Sequence, residues 1–473
     1  MVTEEEGQRL LEENARLHKQ LADVTVQLVR LTARVEQLLA QLGRDSSNSS
    51  KPSSTDAPWK NVKRRPPSAP SGKKRGGQPG HEPHKREMLD PTESWDIAPA
   101  DRCRHCGADG GPDTVVAGDE WVHQVVELVA AASVRNYHMP VQQCVRCGRR
   151  VRAGLPHGVP PTATGPRLQA AIATLVAKYG LSREDVHGAL DELFGIKLSV
   201  GAIQEVTDRA AQATRPAVQD IAEQLMAASS KHCDETGWRH DGHRAWVWVL
   251  CSAMGAFFRV DPNRSREAFL RLLPRLEGVI HTDRWRVYDI IEAELRQLCH
   301  SHLRRDIQAL IDLGPATAAL GKDLLAASDA LFHEWHRFVR GDLDRIGLQV
   351  AMAPVQARWS ELAATAAKHD HKRARALGKD LVKHWASLWA FVDHEGAEPT
   401  NNRAERDIRP SVLIRKTNGG TRSDLGAEFV GNLQSVIATA RCQGVRVVDW
   451  LEQVFEAWWS PVPLPKLLPR PTG

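Results

Sequence analysis

The sequence lacks any apolar run approaching the roughly 20 residues needed to span a bilayer, so no membrane partner is expected. Its first residues, MVTEEEGQRLLEEN, are acidic and amphipathic, unlike the basic and apolar start of a secretory signal. Eight cysteines in 473 residues do not resemble a disulfide scaffold, and a reducing cytoplasm is the expected compartment. A phosphate loop is missing too. The nearest stretch, GPATAALGKD, has the wrong spacing and no Ser or Thr after its lysine, so ATP chemistry is not expected. Net charge is only +5.

What is present is unevenly distributed. A composition of 42% hydrophobic and 26% charged residues describes a folded soluble chain, and its length implies two to four domains. Residues 51–90 hold ten Lys/Arg against four Asp/Glu, a surplus larger than that of the whole chain. This block reads as a polyanion-binding segment or as a basic tether. Before it, Leu10, Leu17, Val24, Leu31 and Leu38 recur every seven residues. Asn14, Leu21, Leu28, Val35 and Leu42 form a second series four residues later. The pattern predicts a coiled-coil dimerisation helix over 1–43, with Asn14 setting register; a long helix packed on its own chain is the other reading. Residues 44–90 are rich in Ser, Pro, Gly and Lys and predict a flexible basic linker.

Cys103 and Cys106, then Cys144 and Cys147, form two Cys-x-x-Cys-Gly knuckles. Four thiolates at this spacing suit a closed, structural Zn²⁺ site within a module at 91–158; free or redox thiols are the alternative. Residues 159–228 read as helical. Two short helices there, SREDVHGALDELFG and SVGAIQEVTDRAAQ, could form a helix-turn-helix placing Gln204 and Arg209 near DNA, or an ordinary bundle.

From 229 the pattern turns to strands. KHCDETGWRH, RAWVWVLC and GAFFRVD predict an antiparallel meander, with Asp241-Gly242 as a hairpin turn. A helix, the buried strand GVIHTD and a helix over WRVYDIIEAEL follow, giving the order β-β-β-α-β-α. The fourth strand should return by a crossover to lie parallel to the first. Asp234 would then lie about one strand spacing, roughly 5 Å, from Asp283. A divalent cation relieves the repulsion of two such carboxylates, and Mg²⁺ suits a few hard oxygens. Each aspartate alone reads as easily as a turn or cap residue, and Glu235 competes with Asp234 because neighbouring strand residues face opposite sides. Helical composition from 303 to 395 reads as an insertion. After it, TNNRAERDIRP starts a helix at Pro399, Thr400 and Asn401 and sets Glu405 among Arg403, Arg406 and Arg409, with Arg415 and Lys416 beyond. Glu405 is the leading third carboxylate. The arginines lie broadly on one helical face, suited to phosphates, although pairing with Asp407 and other acids would also account for some of them. The core would end near 460, leaving a loose tail over 461–473.

In order and spacing, the coiled coil, SSNSSKPSS, GGQPGH, the two knuckles, DET at 234–236, TDRWRVY, CHSHLRR and TNNRAERDIRP…RKTNGG resemble the transposases of the insertion sequence 66 family. The resemblance implies a multidomain α/β protein. Its catalytic core would be ribonuclease H-like over 229–460, with an Asp-Asp-Glu triad that carries over to Asp234, Asp283 and Glu405. It further implies Mg²⁺ or Mn²⁺ at that triad, two-metal DNA cutting and 3′-end joining, and transposon-end and target DNA as partners. A bacterial, nucleoid-associated location and accessory proteins from the same element belong to the same picture. Cys299 and His302 match the family's Cys-x-x-His element and would support the core; His300 stands where the family more often has an aromatic residue. Two other classes fit the residues: a metal-dependent nuclease using His281, Asp283, His300 and His302, and a non-enzymatic zinc-containing DNA-binding regulator.

Overall fold

The computed structural model describes residues 154–460 and 462–468, parts of 13–35 and 132–152, and the short stretches 90–94 and 124–125. Cys103, Cys106, Cys144 and all of the 44–90 linker except Asp90 lie outside the described residues. Cys147 is exposed in the turn between β1 (Val141–Gln143) and β2 (Arg150–Arg152), an antiparallel hairpin. At the N-terminus, residues 16–29 are helical, and Leu17, Leu21, Val24 and Leu28 of the heptad series are exposed on the single chain. Leu10, Leu38 and Leu42 lie outside the described residues. Among the described residues, no helix is long and apolar enough to cross a membrane.

Between residue 166 and the five-stranded sheet lie α1 (Pro166–Ala177), α2 (Arg183–Phe194) and α3 (Val200–Ala227). The start of α2 is a capping box between Ser182 and Asp185, and its end is a left-handed Gly195, as the sequence implies. The next helix is not a short recognition helix. Its 28 residues bury Ile203, Val206, Ala210, Ala211 and Leu225 in the main core. Gln204 bonds Arg183 and Asp208, while Arg209 bonds Gln169 and stacks on Trp459. Both side chains expected near DNA therefore have partners within the protein.

The sheet follows the expected meander. β3 (Ser230–His240), β4 (His243–Ser252) and β5 (Gly255–Asp261) are antiparallel, and positive φ at Asp241 and Gly242 makes the β3–β4 turn. After α4 (Arg266–Leu272), β6 (Val279–Thr282) pairs parallel to β3. The expected helix over WRVYDIIEAEL is instead two 3-10 turns, Arg286–Ile290 and Ala293–Leu295, followed by a fifth strand, β7 (Arg296–Leu298), parallel to β6. Arg296 and Gln297 make this strand look solvated, yet both are buried. Arg296 is held by the Thr282 hydroxyl, the Asp283 carbonyl and the Asp289 carboxylate, so its charge is not left unpaired. The final strand order is β5-β4-β3-β6-β7.

From β7 the chain passes into α5 (His300–Asp312), α6 (Pro315–Val339), α7 (Arg345–Ala367), α8 (Lys372–Lys383) and the single turn α9 (Ala390–Asp393). These helices form a second core around Leu303, Leu324, Met352, Trp359 and Leu381. Three more helices complete the fold: α10 (Asn402–Asn418), α11 (Asp424–Cys442) and α12 (Val447–Trp459). On one sheet face, Ala404, Ile408 and Ile414 of α10 pack over Trp238, Val247 and Val249. The other face buries Cys233, Trp248, Leu250 and Ile280 against Phe269 and Tyr288. α11 covers the free edge of β5, where Ser435 and Thr439 accept the Phe258 and Ala256 N–H groups. The tail is not loose throughout, because Leu467 and Leu468 are buried in the main core.

Candidate active site

The parallel register pairs Ser230 with Val279, Lys231 with Ile280 and His232 with His281. Continued two residues, it sets Asp234 beside Asp283 just past the end of β6. Strand spacing near 5 Å then brings the two carboxylates together. Asp283 is fixed from both sides: its Oδ1 accepts the Trp285 N–H at 2.9 Å, and its carbonyl accepts from buried Arg296. Asp234 Oδ1 accepts only the Glu235 N–H, at 2.9 Å. Neither aspartate carboxylate has a cationic partner among the described residues.

The pleat puts Asp234 and Glu235 on opposite faces of the sheet. Glu235 turns to the Phe269–Tyr288 face, where Arg264 donates to it at 2.5 Å and 2.9 Å and the Tyr288 hydroxyl also donates. Arg264 in turn lies 4.0 Å over the Trp285 ring. Asp234 shares its face with Trp238 and His232, under α10.

Glu405 reaches this face from the first turn of α10. Its Oε1 lies 3.2 Å from Arg305 and 3.4 Å from His302 Nδ1, both on α5. Cys299, His302 and Glu405 offer ligand atoms that all lie within 4.8 Å of one another. Burial pushes the Cys299 thiol up to about 11, so it is a neutral hydrogen-bond acceptor here; its Sγ accepts the Asn401 N–H at 3.1 Å.

Asn401, buried and immediately before α10, joins the helix that carries Glu405 to the strand that carries Asp234. Its amide donates to the Cys233 carbonyl at 2.8 Å, next to Asp234, and its Oδ1 accepts from His232 Nδ1 at 3.1 Å. His232 stacks on His281, with ring centroids 4.0 Å apart. The sequence shows Asn401 only as a helix start. Its role depends on a cross-strand contact that no local spacing reveals.

The electrostatics mark the cluster as short of positive charge. Burial first, then Glu235 and Asp283, with Glu405 further off, hold the Asp234 carboxyl well above its ordinary range. Burial and Asp283 push Glu235 up to about 7 despite its bonds to Tyr288 and Arg264. This fits a divalent cation, which would replace the protons. The sign gives a test. Because the Asp234 carboxyl titrates above its unfolded value, protons compete for it as pH falls, and a cation loses up to about tenfold in apparent affinity per pH unit. The Mg²⁺-induced rise in unfolding temperature should therefore be larger at pH 8 than at pH 5.5, and lost in Asp234→Asn. Calorimetric scans with and without the ion measure it.

Two histidines of the nuclease alternative are not available as ligands. His281 donates from Nδ1 to the Lys231 carbonyl and accepts the Glu398 N–H at Nε2, so both ring nitrogens are used. His300 is buried among Phe332, Trp359, Trp389 and Phe391, donating to the Leu388 carbonyl. It packs as an aromatic residue would.

The basic helix divides by partner. Asp407 is taken by Arg441 at 2.5 Å, not by the arginines of its own helix. Arg403 reaches the Cys442 sulfur at 3.6 Å, and Arg415 donates to the Gly237 carbonyl. Arg415 thus braces β3, which its expected role as a DNA contact did not foresee. Arg406, Arg409 and Lys416 are exposed, and none makes an ion pair or hydrogen bond among the described residues.

The sequence profile described as Transposase IS66 family matches residues 161–429, more than half of the chain. The chain belongs to this transposase family. A family of unknown function, DUF6444, matches residues 3–87. Two similar proteins come from Sinorhizobium fredii (strain NBRC 101917 / NGR234), both described as uncharacterized. One, y4hP, is 22% identical over 396 residues, covering 76% of this chain and 71% of its own. The other, y4qI, is 25% identical over 239 residues, covering 45% and 43%. The matched family region begins before α1 and reaches α11, so it contains Asp234, Asp283 and Glu405.

Proposed function

We propose that the chain is a DNA transposase of the Asp-Asp-Glu type, built on a ribonuclease H-like core. In this reading it cuts at the ends of its insertion sequence and joins the freed 3′-hydroxyls to target DNA. The observation that carries it is the convergence of Asp234 and Asp283 in one row of the parallel β3–β6 pair, facing the helix of Glu405. The strand order and the long helical excursion before that helix support the same reading.

Asp234, Asp283 and Glu405 would hold Mg²⁺ or Mn²⁺. When bound, the cations would stabilise the attacking and leaving oxygens of an in-line displacement. The protein's own part is placement. Arg296 and the Trp285 N–H fix Asp283, Asn401 fixes α10 against β3, and Arg305 orients Glu405. Arg406 and Arg409 hold the phosphodiester backbone. One site would serve both steps, since hydrolysis and strand transfer differ only in which oxygen attacks. The exposed heptad residues near the N-terminus would pair two chains, one for each element end, and the four cysteines would bind a structural Zn²⁺.

Incubating the protein with the end sequences of its own element and Mg²⁺, then mapping the products, tests the proposal. Nicked ends and joined products are expected. Cleavage without joining would favour the nuclease reading, and no cleavage with intact DNA binding would favour the regulator. Arg406→Ala should weaken DNA binding several-fold and reduce the slope of log affinity against log salt by about one, while leaving residual cleavage. Titrations at several salt concentrations check this.

A further inference from the structure

Between the end of α1 and α10 lies a groove of about 380 Å³, within the range of roughly 300–1,000 Å³ that suits a small ligand. Its rim carries Lys178, Arg406 and Arg409, and no acid lines it. The floor is apolar, made by Pro410, Leu413 and the ring of Tyr179. Tyr179 and Leu413 are 63% and 55% exposed, so much of the tyrosine ring is open to solvent.

The placement of Tyr179 is fixed. It follows the end of α1, whose Ala177 carbonyl is held by Gln434 of α11 at 2.8 Å. The next residue, Gly180, has φ +71°, and a Cβ there would sit 3.5 Å from Ile414 of α10. The turn thus seats directly on the helix that carries Glu405, and Lys178 Nζ lies 5.4 Å from the Tyr179 ring centroid. Pro410 adds one more feature: it has no N–H for the Arg406 carbonyl, leaving an acceptor on the groove's own helix.

A groove serving only a duplex backbone would need cations and no open aromatic face, because paired bases are already stacked on one another. A cationic rim beside apolar groups and an exposed ring matches a nucleotide whose base has left the helix. We propose that this groove receives one unpaired nucleotide of the substrate DNA, with its base stacked on Tyr179 and its phosphates held by Lys178, Arg406 and Arg409. The inference rests on the transposase reading above and adds the state of the DNA: frayed or single-stranded next to the site of cutting.

The test uses the full chain and two end-sequence DNAs, one fully paired and one with a three-nucleotide unpaired overhang carrying 2-aminopurine at its first position. The wild type should bind the overhang more tightly and quench the 2-aminopurine. Tyr179→Ala should lose about tenfold in affinity for the overhang and lose the quenching, with blunt-duplex affinity unchanged. Tyr179→Phe should behave as wild type. Tyr179 is exposed, so these changes spare the core. If Tyr179→Ala binds both DNAs as the wild type does, or weakens both equally, this proposal falls and the transposase reading stands. If the wild type binds neither DNA, both fall together.

Discussion

Glu405→Gln should reduce both DNA cleavage and strand transfer by about 10³-fold or more, with DNA affinity close to wild type. The magnitude follows from the role assigned: a lost ligand forfeits several kcal/mol of charge stabilisation at the oxygens in flight. Both steps should fall together because one cluster serves both. Asp234→Asn and Asp283→Asn should do the same. Folding should survive, since removing a buried charge from a crowded set of carboxylates relieves desolvation and repulsion; burial first, then repulsion from Glu235 and Asp283, displaces the Asp234 carboxyl upward. Calcium should support DNA binding with little chemistry, because its looser coordination places the attacking oxygen poorly. The measurement is product formation at equal DNA occupancy. If Glu405→Gln cuts and joins near the wild-type rate, Glu405 is only the ion-pair partner of Arg305.

Asn401→Ala should cost about 10²-fold in the rate of cutting at saturating DNA, with Kd for DNA little changed. No bond to substrate is involved. The loss comes from freeing α10 from β3, and a displacement of about 1 Å at a reacting group is worth roughly that factor. Removal of the amide also leaves the Cys233 carbonyl without its donor and His232 Nδ1 without its acceptor, both buried. Unpaired buried groups cost about 1–3 kcal/mol each, so the unfolding midpoint should fall as well. Asn401→Asp keeps the acceptor for His232 and loses the donor to Cys233. It should fall between alanine and wild type if the strand contact is what positions Glu405. A rate unchanged by either substitution would show that the site does not depend on this clip.

Sequence reasoning went furthest where a local rule fixes structure. The Asp-Gly turn, the Ser182–Asp185 capping box and the alternating meander strands all lie where their chemistry puts them. The parallel placement of β6 beside β3 was legible too, because a right-handed crossover leaves the fourth strand few places to go. It failed where polar residues are buried with partners from distant elements. Arg296 and Gln297 look like a solvated helix face and are instead an inner strand. Gln204 and Arg209 look free to contact DNA and are bonded within the helical bundle. Arg415 belongs to a basic row yet braces a backbone carbonyl. For Glu235 against Asp234, the sequence could say only that the two face opposite sides. That Glu235 is taken up by Arg264 and Tyr288 was not legible, because neither is a neighbour in the chain.

α10 is tied to β3 at both ends. Asn401 holds one end beside Asp234. At the other, Thr421 exchanges backbone bonds with Arg239 and Asp241, where Gly420 approaches the Arg239 carbonyl too closely to admit a Cβ. The spacing between Glu405 and the aspartates is therefore set by the strand and by α5, whose Arg305 meets Glu405, and the helices α6 to α9 need only leave from the end of α5 and return at Pro399. Closing a longer excursion costs little, about 0.6 kcal/mol for each doubling of its length. That segment is thus open to insertion, deletion and replacement during descent. Related chains should vary most in the number and length of its helices, while the intervals from Asp234 to Asp283 and from Asn401 to Thr421 stay nearly constant.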